Sequence, residues 1–203
     1  MNVLIVAKTK WGDYFCIGGI EITTNKYLRL MDLNGGYQPF NTPFKVGQIW
    51  NITYKPTPGV PPHIEDVQVI SKTHIDTVNP NQYILNNCKI WKGDLNDVYD
   101  FKLKWNNGRG FLNDPNDLPI NSVGFWQTDK DLILGDNFGK PCYNYNYNSF
   151  LKRNKKMPYK GEVPPIGNIP AGTLIRLSLA KWWNPPDNPM MEKRCYLQLS
   201  GWY

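Results

Sequence analysis

Between Leu151 and Gly161 the chain carries Lys152, Arg153, Lys155, Lys156 and Lys160 with no acidic residue among them. Cations this dense neutralise phosphates and release counterions from a nucleic-acid strand. The same run would also serve as a solvated loop of a basic protein. Just before it, Cys142-Tyr143-Asn144-Tyr145-Asn146-Tyr147-Asn148 alternates strictly. On a strand Tyr143, Tyr145 and Tyr147 would share one face and the asparagines the other. Such a row either stacks unpaired bases or lines a core, which is what alternation more often marks. Trp182-Trp183 raises the same choice, because neighbours on a strand point oppositely and at most one of the two should be core.

Other chemistry finds little support. His63 and His74 are the only histidines, and neither has the spacing of a metal or catalytic pair. Glu65 and Asp66 are adjacent and should face apart on a strand. Asp94, Asp97 and Asp100 would share a helix face, where a divalent ion or plain solvent would meet them. Cys16, Cys88, Cys142 and Cys195 are widely spaced, with no zinc-ribbon pair; Cys16 and Cys195 read as small buried hydrophobes. No GxxxxGK[ST] or GxSxG occurs. The expectation is a protein without cofactor, metal or catalytic constellation, and not an enzyme.

These residues must be held by a mainly β chain. There are 17 Pro and 17 Gly spread along 203 residues, which suits many short strands. Alternation marks strands over 3–10, 15–23, 27–32, 46–55 and 64–71. Gly18-Gly19 predicts a bulge or bend within the second. In the third, Leu28 and Leu30 face one way and Tyr27, Arg29 and Met31 the other. Five strands in about seventy residues predict an OB-type barrel, with an SH3-like barrel as the alternative. The stretch 82–99 has helical spacing and predicts one short helix or two. Residues 101–105 predict a strand and 106–121 a loop. Strands follow over 122–128, 131–136 and 140–147, then a basic connection over 150–165. A hairpin closes the chain: Ile175, Leu177 and Leu179 alternate in one arm, Cys195, Leu197 and Leu199 in the other, around the proline-rich 184–189 loop. The terminal Trp202 and Tyr203 should pack into the fold. The N-terminal apolar run is too short for a signal peptide and lacks basic residues before it. This divides the chain into a first OB-like barrel over 1–77 and a second, larger one over 78–203. The first carries 7 basic and 6 acidic residues and the second 16 and 11, so a polyanion should prefer the second.

Lys26-Tyr27-Leu28-Arg29-Leu30-Met31 echoes Thr173-Leu174-Ile175-Arg176-Leu177-Ser178, each with an arginine between apolar residues. The pattern Ile175-Arg176-Leu177-Ser178-Leu179-Ala180, Trp182-Trp183, then Arg194 to Trp202 resembles the C-terminal signature of bacterial dual-OB-domain proteins. Tyr27-Leu28-Arg29-Leu30 followed by Val46-Gly47-Gln48-Ile49-Trp50 resembles the same family. The resemblance covers the whole chain and implies two tandem OB-type barrels. It also implies an association with bacterial defence and genome-conflict proteins, and it brings no catalytic residue.

OB barrels bind oligonucleotides on the face of their second and third strands, which here includes Tyr27 and Arg29. The leading expectation is a cytoplasmic, non-membrane module that binds single-stranded DNA or RNA through Tyr27, Arg29, Tyr143, Tyr145, Tyr147, Lys152, Arg153, Lys155, Lys156 and Lys160. The alternative is a protein-interaction module that recruits a larger nuclease or ATPase, since aromatics and arginine suit interface cores equally well.

Overall fold

A computed structural model describes residues 1–146 and 154–203, with strands predominating. Among them no helix is long and apolar enough to cross a membrane. The first six strands are β1 (Asn2–Trp11), β2 (Tyr14–Glu21), β3 (Tyr27–Met31), β4 (Gln38–Pro39), β5 (Gln48–Pro56) and β6 (Asp66–Thr77). Their order is β1-β5-β6-β3-β2-β4, and β1 also pairs with β2. Five strands thus close into a barrel with β4 at its edge. β3 and β6 run parallel and the other pairs antiparallel, an OB-like arrangement.

The predicted bend is where the glycines are. The β1–β2 register slips between Ile5 and Ala7, opposite Gly19 and Gly18. A Cβ on Gly19 would stand 2.5 Å from Val3 Cγ1, so the backbones approach there only without a side chain. β1 is covered on both faces. Val3 and Ile5 enter the barrel core with Ile17, Leu28, Leu30 and Ile52, while Leu4 and Val6 point outward into a second apolar cluster. That double burial is why the N-terminal run is continuously apolar rather than alternating.

After β6, Asn79 caps the one α-helix among the described residues, α1 (Pro80–Asn87), accepting a hydrogen bond from the Asn81 amide at 2.9 Å. Proline at the first helical position and asparagine before it form a strong start signal. Ten strands follow: β7 (Ile90–Gly93), β8 (Lys104–Asn106), β9 (Arg109–Leu112), β10 (Val123–Thr128), β11 (Leu132–Asp136), β12 (Pro141–Asn146), β13 (Asn154–Pro158), β14 (Asn168–Ile169), β15 (Leu174–Leu179) and β16 (Cys195–Trp202). They form one sheet in the order β14-β11-β12-β13-β9-β16-β15-β10-β7, with β8 beside β9. It curls around a core that includes Trp126, Tyr143, Tyr145, Leu177 and Leu199. The chain is therefore mainly β, with a closed five-stranded barrel and a large sheet that together make tandem OB-like domains.

Three expectations change here. The predicted helix over 82–99 ends at Asn87, because Ile90–Gly93 pairs in parallel with β10. Gly124 makes that pairing possible: a Cβ there would lie 2.2 Å from the Trp91 ring. Asp94, Asp97 and Asp100 consequently lie on turns and a short 3-10 segment, not on one helix face. The predicted loop over 106–121 contains β9, and the basic connection contains β13.

The barrel and the large sheet share an apolar seam. Leu4, Val6 and Ile20 meet Ile84 of α1 and Phe125 and Leu174 of the sheet. Tyr203, packed as expected of the terminus, donates its hydroxyl to the Val6 carbonyl across this seam. Polar links flank it. His63 Nε2 lies 3.1 Å from the Leu179 carbonyl. The Glu65 carboxylate accepts from the Ser122 amide at 2.6 Å and from its hydroxyl at 3.0 Å. Trp182 donates its indole N–H to the Pro61 carbonyl at 2.7 Å.

Candidate nucleic-acid interface

Beside the seam lies a cleft of about 500 Å³ between the barrel and the large sheet, within the size range of ligand sites. Its floor comes from the two echoed strands. In β3, Leu28 and Leu30 fill the barrel core, so alternation turns Arg29 the other way, into the cleft. In β15, Ile175 and Leu177 join the core of the large sheet, which turns Arg176 to the same space from the opposite side. Two arginines 147 positions apart in the sequence thus line one cavity.

Their surroundings differ. Arg29 Nε donates to Asp66, whose other oxygen stands 3.9 Å from Lys181 Nζ. Arg176 is only 3 % exposed. Its Nη1 donates to the Leu177 carbonyl at 3.2 Å, and the guanidinium rests 5.3 Å from the centre of the Phe125 ring. Arg29 Nη2 and Arg176 Nε are buried without an acceptor. Gly18 leaves the space Arg176 occupies: a Cβ there would sit 2.8 Å from Arg176 Nη2. Above the floor, Ser178 and Ser200 join their hydroxyls at 2.5 Å.

The rim alternates cations and rings. Lys160 Nζ lies 6.0 Å from the Trp11 ring centre, Lys181 5.6 Å from Tyr37, and the Arg109 guanidinium 5.1 Å from Tyr196. Lys10 and Lys140 complete the basic lining. Burial and the neighbouring Lys140 pull the Lys160 ammonium below the usual lysine range. Glu65 is the one carboxylate lining the cleft. Burial lifts its pKa above the usual carboxylate range, against the hydrogen bonds from Ser122. Trp11 and Trp183 remain 53 % and 49 % exposed, so flat aromatic surface stands free beside the cations.

The residues expected from sequence are scattered by the fold. Arg29 and Lys160 line the cleft. Tyr27 does not: its ring tilts against Phe125 at 5.9 Å and packs into the seam, so docking of the two halves consumes that part of the barrel face. The stacking role of Tyr143 and Tyr145 is overturned, since both are fully buried. Tyr143 donates to the Ile166 carbonyl at 2.9 Å and Tyr145 to Asp129 at 2.8 Å, so these two tyrosines are core. The expected basic connection over 150–165 is likewise corrected at Asn154–Pro158, where the chain is strand β13. Lys155 and Met157 point inward, and the Lys155 ammonium is held by Asn96, by Asp94 at 3.8 Å and over the Trp105 ring. Lys156 sits on the opposite, half-buried face, paired with Asn144, and is not part of the cleft lining. Tyr147, Lys152 and Arg153 lie outside the described residues.

Trp182 and Trp183 do not form a regular strand, because β15 stops at Leu179. Neither is fully buried and both line the cleft. Sequence reasoning missed Lys10, Arg109, Lys140, Arg176 and Lys181 as site residues. The echo between the two arginine strands was the signal available for Arg176.

A family model described as a dual OB-containing domain matches residues 1–202. No curated protein sequence matches the chain. Among solved structures the chain is similar to the Ifi202 HINa domain in complex with 20 bp dsDNA, at 15 % identity and a TM-score of 0.36, over 88 % of this chain and 83 % of that one. It is also similar to a murine DNA binding protein bound with ds DNA, at 11 % identity and a TM-score of 0.32, over 100 % of this chain and 95 % of the other.

Proposed function

The chain belongs to the dual OB-containing domain family, and from that premise we propose that it is a non-catalytic module that binds single-stranded nucleic acid in the cleft between its two halves. The observation that carries this reading is the composition of the cleft. Lys10, Arg29, Arg109, Lys140, Lys160, Arg176 and Lys181 line it against the single carboxylate of Glu65, and Trp11 and Trp183 offer free ring surface beside them. A basic groove with interleaved aromatics tracks a backbone by charge and holds unpaired bases by stacking, which every base permits. A duplex hides its base faces, so the exposed rings favour an unpaired strand. The resemblance of the strands to dual-OB proteins of bacterial conflict systems supports a defence setting in the cytoplasm.

The test is binding of a labelled single-stranded oligonucleotide, measured by anisotropy across a salt series. Each phosphate neutralised on a single strand contributes about 0.7 to the slope of log affinity against log salt. Replacing Lys10, Lys140, Lys160 and Lys181 together with Ala should flatten that slope by up to about 3. Trp183→Ala should weaken binding by about 1–3 kcal/mol and leave the slope unchanged. Wild-type protein that binds no single strand at low salt would end this reading.

A further inference from the structure

The floor of the cleft is built for something more specific than a passing backbone. A guanidinium carries five N–H donors and can never shed its charge. Arg176 makes one hydrogen bond, to the Leu177 carbonyl, and among the described residues no carboxylate stands within ion-pair distance of it. Its Nε is buried without an acceptor. Glu65, the acid that lines the cleft, has both oxygens accepting from Ser122. Removing a charge from water without a partner is costly, and a satisfied protein would place a carboxylate here. Arg29, facing from the other half, has an acceptor for Nε in Asp66 and none for Nη2. Ser178 and Ser200 share one hydrogen between their oxygens, which leaves the other hydroxyl hydrogen available to a third group.

We propose that this floor is a receptor for a terminal phosphate monoester, held by Arg176 and Arg29 with a hydroxyl from the Ser178–Ser200 pair. Three features select that chemistry. The unmet need is charge, which a neutral base edge does not answer and a phosphate dianion does. The unused donors come from guanidinium groups, whose planar forks match phosphate oxygens. Depth favours a chain end: Arg176 is 3 % exposed, and a phosphate that carries a sugar on one side only reaches it more readily than one flanked by sugars on both. The inference rests on the strand-binding reading only for the source of the phosphate.

The experiment compares wild-type affinity for one oligonucleotide sequence with a 5′-phosphate, a 3′-phosphate or hydroxyls at both ends, and for a nucleoside monophosphate alone. One phosphorylated end should bind roughly ten- to a hundredfold tighter than the hydroxyl form, the worth of one or two charge-assisted hydrogen bonds. Arg176→Gln should bring the phosphorylated and hydroxyl forms to equal affinity, whatever it does to the affinity of both. The wild-type comparison decides the matter even if the variant fails to fold. Equal affinity for all oligonucleotide ends, with saturable binding of the monophosphate that phosphate ions displace, assigns the floor to a free nucleotide and keeps the phosphate receptor. Monophosphate binding with no strand bound removes the strand reading and likewise keeps the receptor. Strands that bind equally whatever their ends, together with no monophosphate binding, overturn the receptor and leave the strand reading standing.

Discussion

His63 shows how one buried side chain ties stability to pH. It is held neutral between the halves, with burial and the Arg29 charge pulling its pKa down to about 4. The unfolded chain takes up that proton near pH 6.5, so stability is full above that pH and declines as pH falls toward 4. Between pH 7 and 5 the loss should be about 2 kcal/mol, read from urea midpoints. His63→Gln keeps an N–H for the Leu179 carbonyl and should remove this slope. Glu65 runs the other way: burial raises its carboxyl pKa, so its contribution is fullest at low pH and declines as pH rises past the ordinary carboxylate range. Comparing wild type and His63→Gln at each pH cancels the Glu65 part. A variant with the wild-type slope would show that His63 does not carry it.

Strand β13 inverts the usual meaning of a basic run. Its ladder with β12 and β9 sets Lys155 inward, where Asp94, Asn96 and the Trp105 ring receive the ammonium. Lys155→Ala should therefore cost about 1–3 kcal/mol of stability, by stranding those partners, and leave the salt dependence of strand binding untouched. A flattened salt slope with unchanged stability would place Lys155 at the ligand instead. Strand β7 depends on a missing side chain in the same way. Gly124→Ala would drive a methyl into the Trp91 ring. Overpacking of that kind costs about 1–3 kcal/mol, and hydrogen exchange should speed up at Ile90–Gly93 before it does elsewhere in the sheet.

At the scale of the whole molecule, the cleft exists because the halves are locked by an apolar seam. Phe125 is its centre, fully buried between Tyr27, Tyr203 and the Arg176 guanidinium. Phe125→Ala should cost about 3–5 kcal/mol and also weaken ligand binding, since both the seam and the seat of Arg176 lose their packing. Trp183→Ala should do the reverse, leaving the melting temperature near wild type while binding falls. If Phe125→Ala unfolds earlier yet binds with wild-type affinity at a temperature where it is folded, the cleft does not depend on the seam.

The sequence alone determined the local order of this protein. Alternation placed most of the strands of the barrel and the closing hairpin, Gly18-Gly19 located the bend, and the arginine echo marked the two strands that meet at the cleft. Tertiary structure decided which faces meet. Alternation says that two faces of a strand differ, not which of them lies against a second sheet, so Tyr143 and Tyr145 became core and Tyr27 became seam. A short segment such as Ile90–Gly93 becomes a strand only when β10 offers an edge and Gly124 leaves room, neither of which is written in the segment itself. The cleft is further still from local reading. Lys10 and Lys160 are neighbours only because the Lys10 amide bonds the Lys160 carbonyl at 3.1 Å, and Arg29 and Arg176 share a cavity only because the barrel and the large sheet dock. Each charge was visible in the chain, but their sum in one place is a property of the docked pair.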